Sequence, residues 1–562
     1  MIRKWGVSNF KSIKEADIEL ADLNIFTGIN SSGKSSIIQS ILLIAQTLRK
    51  DMSSDELALD GDFIKRGFFE NPSKEDIGFH FCLPGKNRWE KKDRDFTLSF
   101  TNSDDQPLLH SFSYSFDSIP HGRLREPPHY AVPNPVRIAG KRDKISDKDF
   151  HNVICTHVEN VKEINEIKYR NFSHFIPEVI CNLKQDKETK DKSEELVKKY
   201  LDDKYYEPAG IIDILLEDDD SDESSIESTD IGDIPFDKDI EYVIDKYDNT
   251  IDDITIVDAF DQRFENVDRY YDKIVQDSCK LKMEGEYNLD GVNNYEAFEI
   301  VNGLKELKNQ LKYFADSVRY LGPLRHDDSF YPLSSSLGEY IGARGEYTAF
   351  VIKRYADKEG DYISPPNEDS VFSVNRSKFK NALLSWIKYF GLVDDLDIVQ
   401  AGNQAYQIKV KQFPNNNHLD ITDVGKGVSQ VLPILTMCLL ADRDSITIIE
   451  QPEEQLHPKI QSKLADLFVA MALNGRQCIV ETHSEYLIEQ LRFRILKASN
   501  ESLHDKTRLY FAEKRDGISS YKNIGISKYA EFDKWPEDFF DESHKFAKKF
   551  TDEVIKQDKL GD

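Results

Sequence analysis

The sequence begins with a strand-like run, a glycine-rich turn and a helix, while the motifs that complement them lie far towards the other end. Residues 28–35, Gly-Ile-Asn-Ser-Ser-Gly-Lys-Ser, match G-x-x-x-x-G-K-[ST] at every fixed position. The apolar run 23–26 precedes this turn, and apolar residues follow it at helical spacing from Ile37 to Ala45. This strand–loop–helix order is the context in which the pattern acquires structural meaning. We therefore expect an α/β fold built around the turn.

A turn of this type predicts a phosphate-binding site. Its glycines let backbone N–H groups point inward, and the new helix adds the positive end of its dipole. Lys34 is predicted to reach the β- and γ-phosphates of ATP, and the Ser35 hydroxyl is predicted to ligate Mg²⁺. The other predicted nucleotide contacts in this turn are Asn30, Ser32, Gly33 and Ser36.

Composition indicates a protein of the cytoplasm. The 562 residues include six cysteines without C-x-x-C spacing, which favours reduced thiols over a disulfide framework or a zinc site. No apolar run approaches the ~18 residues that a membrane span needs. The N-terminus passes directly into strand-like sequence and lacks the apolar core of a signal peptide.

The net charge of −27 is unevenly distributed. Residues 201–260 carry 21 acidic residues against three lysines, a balance of −18. Charge alone therefore neither predicts nor excludes nucleic-acid binding, which depends on a local basic surface. The acidic block is typical of a solvated insertion, and an acidic docking surface or DNA mimic is the alternative.

The pattern along the chain divides it into four segments. Short alternating runs before residue 135 predict an antiparallel β lobe, including residues 96–100 and 111–116, and the prolines from Pro120 to Pro135 predict a loop. The predicted segments are an N-terminal head part at 1–135, a mainly helical acidic insertion at 136–315, a C-terminal head part at 316–500 and an extension at 501–562.

Three further motifs follow in the order that an ATP-binding cassette requires. Residues 422–430 form a glycine-rich turn with Gly427 and Ser429 at the start of an apolar helix. A β-branched run at 446–449 then ends in Glu450, which predicts a buried parallel strand delivering a Mg²⁺ ligand. Residues 478–480 form another short apolar run, followed by Glu-Thr-His-Ser, and the position of His483 favours a functional role.

Together these motifs resemble ABC-type ATPases of the chromosome-maintenance, RecF and OLD superfamily. Residues 320–325 and 535–542 are in addition similar to OLD-like ATPases of bacterial anti-phage systems, the Septu and retron-associated PtuA proteins. The superfamily resemblance covers roughly residues 1–50 and 320–500.

The resemblance implies a role for each motif residue. Lys34 would bind phosphate, Ser35 and Glu450 would hold Mg²⁺, and His483 would sense the γ-phosphate. Gly427 and Ser429 would cap ATP on another subunit, which implies a homodimer of heads, with higher oligomers left open.

One position departs from the superfamily pattern. The carboxylate that usually follows the Mg²⁺ ligand is replaced by Gln451. A glutamine orients water but accepts no proton, and general-base help is typically worth about 10²–10⁴-fold. Slow hydrolysis is therefore expected unless Glu453 is the base; the alternative is that Gln451 is a neutral variant with ordinary turnover.

The expected function is a regulatory ATPase that controls a separate effector protein, with a nuclease as the expected effector class, in anti-phage defence. A DNA-repair clamp acting directly on DNA is the alternative. A self-contained OLD-type nuclease is disfavoured because no D-x-D pair follows His483. A transport ATPase is disfavoured by the long insertion and by the Glu450-Gln451 site.

Overall fold

A computed structural model describes the two ends of the chain and part of its centre. The described ranges are 1–50, 56–64, 75–85, 93–101, 107–118, 134–141, 151–157, 172–173, 176–177, 307–332, 338–367, 372–402, 405–412, 417–497, 503–534 and 549–551.

These ranges contain strands throughout and helices mainly in the C-terminal half. The strands are β1 (Lys4–Phe10), β2 (Ile13–Glu19), β3 (Leu23–Gly28), β4 (Ile77–Leu83), β5 (Arg94–Phe100), β6 (Leu109–Ser118), β7 (Asn134–Lys141), β8 (His151–His157), β9 (Phe172–Ser173), β10 (Ile176–Pro177), β11 (Val318–Leu321), β12 (Tyr331–Pro332), β13 (Glu359–Ile363), β14 (Val374–Lys378), β15 (Asp395–Ala401), β16 (Ala405–Lys411), β17 (Leu419–Asp420), β18 (Ile446–Glu450), β19 (Gln477–Glu481), β20 (Thr507–Arg515) and β21 (Ile518–Ile524). The helices with both ends defined are α1 (Lys34–Arg49), α2 (Thr348–Tyr355), α3 (Phe379–Phe390), α4 (Lys426–Leu440), α5 (Pro458–Leu473) and α6 (Glu485–Lys497). Residues 307–317 are also helical.

Contacts divide the chain into two compact units. The first combines Met1–Pro84, Asp93–His110 and Gln310–Asp562, and the second combines Gly85–Lys92 and Ser111–Asn309. The first unit therefore joins the two ends of the sequence into one body, as the spacing of the motifs predicts.

The centre of the first unit is a six-stranded sheet in the order β11-β18-β19-β3-β20-β21. Its strands are parallel except for β21, which runs antiparallel to β20. Strand β3 from the N-terminus lies between β19 and β20 from the C-terminal region. The sheet continues through β20 and β21, so it extends into the segment 501–562 that the sequence predicts as an extension.

The middle of this sheet is buried on both faces. Every residue of β18 and β19 is buried, as expected for parallel strands rich in branched apolar residues. In α4, all thirteen residues from Val428 to Leu440 are buried, which is typical of a helix that is apolar on all sides. The packing of these buried elements holds the carboxyl ends of the strands in place, and the polar motif residues lie at those ends.

An antiparallel lobe in the order β2-β1-β4-β5 belongs to the same unit. The Trp5 ring stacks on Phe81 with centroids 5.1 Å apart, and Phe81 stacks on Phe96 at 5.0 Å. The Trp5 indole also donates a hydrogen bond of 2.8 Å to the Ser40 hydroxyl of α1. The lobe thereby anchors the helix that follows the phosphate-binding turn.

The second unit contains an antiparallel ladder of β6, β7 and β8 and the two-residue pair β9 and β10. Strands therefore continue beyond residue 135, where the sequence analysis predicts a change to helix. At the other end of the predicted helical insertion, residues 307–315 are helical. The remainder of that insertion, including the acidic block, lies outside the described residues, as do residues 535–542. So does the predicted proline loop, apart from residues 134–135 at the start of β7.

The α/β fold with a head assembled from both ends of the chain and an antiparallel lobe is confirmed. In the part of the chain that the structure describes, no helix combines the length and apolarity needed to cross a bilayer. Cys82, Cys438 and Cys478 are buried free thiols.

Candidate nucleotide site

The phosphate-binding turn joins β3 directly to α1, and two of its positions require glycine. Gly28 and Gly33 have φ angles of 139° and 100°. A Cβ atom on Gly28 would lie 2.2 Å from the Ala512 carbonyl oxygen, and one on Gly33 would lie 2.2 Å from the Ser519 hydroxyl. Backbone conformation and close approach by β20 and β21 therefore both demand glycine here.

Strand β21 braces the turn from a position that the sequence did not indicate. The Tyr521 hydroxyl donates a hydrogen bond of 2.6 Å to the Gly33 carbonyl. The hydroxyls of Ser12 and Ser519 are 2.7 Å apart. The turn is thus held in part by residues from the predicted extension, which the pairing of β20 with β3 brings close to it.

Lys34 folds back onto the turn. Its Nζ donates to the carbonyls of Gly28 at 3.2 Å and Ile29 at 2.8 Å, and the residue is 3% exposed. Burial lowers the pKa of Lys34, while the charges of Glu481 and Glu453 act in the opposite direction. A buried ammonium group held by neutral carbonyls is well suited to transfer to an anionic phosphate.

The remaining predicted positions in the turn differ in exposure. Ser32 is fully buried, and its hydroxyl has no hydrogen-bond partner among the described residues. Asn30 is exposed, and Ser36 is half-buried in the first turn of α1, where its N–H donates to the Gly33 carbonyl at 3.0 Å. A buried hydroxyl without a partner among the described residues can donate a hydrogen bond to a phosphate group.

Two carboxylates meet at the carboxyl ends of β18 and β19. Glu450 and Glu481 are paired residues in the parallel register of these strands. The Ser35 hydroxyl donates to Glu481 at 2.8 Å, whereas Glu450 accepts a hydrogen bond of 3.0 Å from Tyr320. Burial, and next the charge of Glu481, raises the pKa of Glu450 to about 8; burial also raises the pKa of Glu481.

Arg325 fixes the backbone at the end of β18. Its guanidinium donates to the carbonyls of Glu450 at 2.9 Å and Gln451 at 3.1 Å. Burial lowers its pKa to about 10, so the side chain remains a cation at neutral pH. Arg325 appeared in the sequence analysis only as part of the segment 320–325, without a role.

Gln451 turns the chain sharply after β18. Its φ is 45°, its N–H donates to the Glu481 carbonyl at 2.8 Å, and its side chain hydrogen-bonds the Glu481 carboxylate. Gln451 therefore lies next to the two carboxylates, as its predicted role requires.

Glu453 is engaged with the loop after β19. One carboxylate oxygen accepts from the Thr482 hydroxyl at 2.8 Å and the other from the His483 N–H at 2.6 Å. These two contacts give Glu453 a positioning role for this loop. Its predicted role as a base stays a prediction.

His483 lies near Lys34 in a partly buried position. Burial, and next the charge of Lys34, lowers the pKa of His483 to about 4. The imidazole is therefore neutral at pH 7 and has one N–H to donate. A neutral donor beside the lysine is compatible with the predicted contact to a γ-phosphate.

Gly427 and Ser429 lie in the first turn of α4. Ser429 is 3% exposed, and its hydroxyl donates to the Lys426 carbonyl of its own helix at 2.9 Å. Gly427 is half-buried, and a Cβ atom at this position would be in van der Waals contact with Leu392 and Leu456, each at 3.8 Å. The exposed part of this turn is formed by Gly425 and Lys426.

The donor set fits ATP and Mg²⁺. Hydroxyl and carboxylate oxygens from Ser35, Glu450 and Glu481 are the hard ligands that Mg²⁺ prefers. The turn supplies Lys34, the unpaired Ser32 hydroxyl and the dipole of α1 for phosphates. These groups come from β3, α1, β18 and β19, so the parallel sheet is what brings them together.

Comparisons with known proteins place most of the chain beside known ATPases. The chain is similar to solved SMC head domains from Pyrococcus furiosus, bound to the C-terminal domain of ScpA (12% identity, TM-score 0.30), and from Pyrococcus yayanosii, with a coiled coil and joint (14%, 0.31). The first alignment covers 93% of this chain and 96% of the other, and the second covers 94% and 98%. The SMC head domain from Thermotoga maritima is 8% identical over 93% of this chain and 98% of the other, with a TM-score of 0.32.

No curated protein matches the sequence. The family model described as the AAA ATPase domain matches residues 1–488. This match contains the phosphate-binding turn, both strand-end carboxylates and His483. The chain therefore belongs to the AAA ATPase domain family.

Proposed function

We propose that this chain binds ATP with Mg²⁺ at the carboxyl edge of the parallel sheet and hydrolyses it slowly. The observation that carries the proposal is the contact between the turn and the strand ends, where the Ser35 hydroxyl donates to Glu481 beside Glu450. Phosphate-binding and cation-binding groups thereby share one edge, which is where open α/β sheets bind ligands.

Each residue at this edge has a task that its contacts allow. Lys34 exchanges its two carbonyl partners for phosphate oxygens, and the neutral imidazole of His483 donates to the terminal phosphate. Ser35 and Glu450 hold the cation. Bound Mg²⁺ would neutralise charge on the β- and γ-phosphates.

Slow hydrolysis follows from the residues around the expected water. The Gln451 amide orients a water molecule but accepts no proton from it. Each oxygen of Glu453 accepts a hydrogen bond from the loop after β19. Gln451 thus supplies no base, and the contacts of Glu453 hold it against the loop after β19, which suits a protein in which bound ATP maintains a state.

We also propose that two heads pair and that the turn at α4 faces the partner's nucleotide. Support comes from the resemblance to dimeric ATPases and from the exposure of Lys426, whose side chain is 64% exposed. Lys426→Glu should weaken ATP-dependent dimerisation by about tenfold or more, because it reverses a charge at the contact. Lys378→Glu, at another exposed lysine, is the control; equal dimerisation of both variants by light scattering contradicts this surface.

The proposed cellular role is control of a separate effector, with a nuclease as the expected class, in bacterial anti-phage defence. It rests on the resemblance of residues 320–325 and 535–542 to OLD-like defence ATPases. Co-purification with proteins encoded beside the gene, followed by phage plating with and without the pair, tests it. Full protection by the effector alone would refute this role.

The ATPase proposal has its own test on the purified chain. Calorimetry should show saturable ATP binding that strengthens with Mg²⁺, and phosphate release should be slow relative to typical enzymes, whose median turnover is about 10 s⁻¹. An absence of binding would refute the site, whereas binding with rapid turnover would refute only the slow-hydrolysis part.

A further inference from the structure

We propose that Glu481 is a direct ligand of the Mg²⁺ that accompanies ATP, together with Ser35 and Glu450. This inference rests on the proposed function and assigns a residue that the motif analysis treats only as a neighbour of His483. The strand order, the hydrogen bond of Ser35 and the burial of the two carboxylates carry it.

The first observation is the position of β19 in the sheet. It lies between β18, which ends at Glu450, and β3, which leads into the phosphate-binding turn. Glu481 pairs with Glu450 on one side and with Phe26 of β3 on the other. Its carboxylate therefore projects from between the predicted Mg²⁺ ligand and the phosphate-binding turn.

The second observation is the partner of the Ser35 hydroxyl. The hydroxyl that the motif assigns to Mg²⁺ donates to Glu481 at 2.8 Å. Glu450 instead accepts from Tyr320 at 3.0 Å. A cation bound by the Ser35 oxygen would consequently lie within the immediate reach of Glu481.

The third observation is that two acidic side chains are buried together. Glu481 is 2% exposed and Glu450 is 5% exposed. Buried charges in proteins are paired or coordinate metals. The nearby Lys34 ammonium is hydrogen-bonded to two backbone carbonyls rather than to either carboxylate. A divalent cation would relieve the repulsion between the two glutamates.

A positioning role for Glu481 makes a different prediction from a ligand role. A glutamine at this position would still accept the Ser35 hydrogen bond through its amide oxygen, but it lacks the negative charge that favours Mg²⁺. Alanine removes both the acceptor and the charge. Comparing Glu481→Gln with Glu481→Ala therefore separates the two roles.

The experiment measures the affinity for a fluorescent ATP analogue in EDTA and in Mg²⁺. The wild-type protein should bind more tightly with Mg²⁺. Glu481→Gln should retain the affinity in EDTA but lose about tenfold or more of the gain produced by Mg²⁺. Glu489→Gln, which makes the same change in charge on α6, should behave as wild type. Electron paramagnetic resonance of Mn²⁺ with the analogue reports the ligand set independently of turnover.

The outcomes are distinct. If folded Glu481→Gln keeps the full increase in nucleotide affinity that Mg²⁺ produces, the inference is overturned. If only Glu481→Ala is impaired, Glu481 acts by positioning Ser35. Loss of the gain with unchanged affinity in EDTA supports the inference. If the wild-type protein binds no nucleotide in either condition, the proposed function fails before the role of Glu481 is reached.

Discussion

The phosphate-binding turn and the turn at the start of α4 differ in whether their polar side chains already have hydrogen-bond partners within the chain. Around the first, Ser32 has a buried hydroxyl without a partner among the described residues, and Lys34 is held by carbonyls. At the second, the buried Ser429 hydroxyl is satisfied by Lys426 of its own helix. The first turn therefore has polar groups left for a ligand, whereas the serine of the second must break a bond before it contacts one.

The largest expected effect tests the first turn. Lys34→Ala removes a buried cation, so ATP affinity should fall by roughly 100-fold or more, since truncating one partner of a buried charge pair costs about 2–5 kcal/mol. Calorimetry measures the loss, and Lys378→Ala at an exposed position is the matched control. Unchanged affinity in a folded Lys34→Ala protein would disprove the phosphate-binding assignment.

The second prediction concerns the buried serine of α4. Ser429→Arg should lower the free energy of unfolding by roughly 3 kcal/mol or more, because it buries an unpaired charge. Ser429→Ala loses only a hydrogen bond within the helix and should change stability by about 1 kcal/mol. Thermal unfolding distinguishes them; equal melting temperatures would mean that Ser429 faces outward and that the two turns are alike.

The third prediction sharpens the role of the glutamine beside the carboxylates. Gln451→Glu supplies a base near the expected water, so phosphate release should increase by about tenfold. This is less than the typical 10²–10⁴-fold of general-base help, because a third carboxylate now adjoins Glu450 and Glu481. If turnover stays constant while Glu453→Gln abolishes it, the base is Glu453.

The smallest expected effect is a dependence of stability on pH. Unfolded His483 binds a proton below its ordinary pKa of 6.5, whereas the folded residue does so only below about 4. The contribution of His483 to stability is therefore present above pH 6.5 and is lost as the pH falls towards 4. Relative to His483→Gln, the wild-type melting temperature should decline by a few degrees over this interval. A constant difference between the two proteins would contradict the burial of His483.

Much of the site could be predicted because its motifs are local. Residues 28–35 predict the turn from their own sequence, and the β-branched run before Glu450 likewise predicts its strand. The structure adds residues whose roles depend on neighbours in space. Arg325 holds the end of β18, Tyr521 braces the turn, and Glu481 receives the Ser35 hydroxyl. The residues in these contacts belong to no common sequence motif, so the sequence alone does not predict that they meet.

The sequence by itself determined the α/β class, the phosphate-binding turn and the assembly of the head from both ends of the chain. These features can be predicted without the fold because they depend on short segments: the conformation of glycines, the periodicity of apolar residues and the carboxylates at strand ends. Only the tertiary structure decided that β19 lies between β18 and β3, that β20 and β21 complete the sheet, and that Ser429 is buried. Strand order and burial arise from packing between distant segments, and that packing placed Glu481 rather than Glu450 against Ser35.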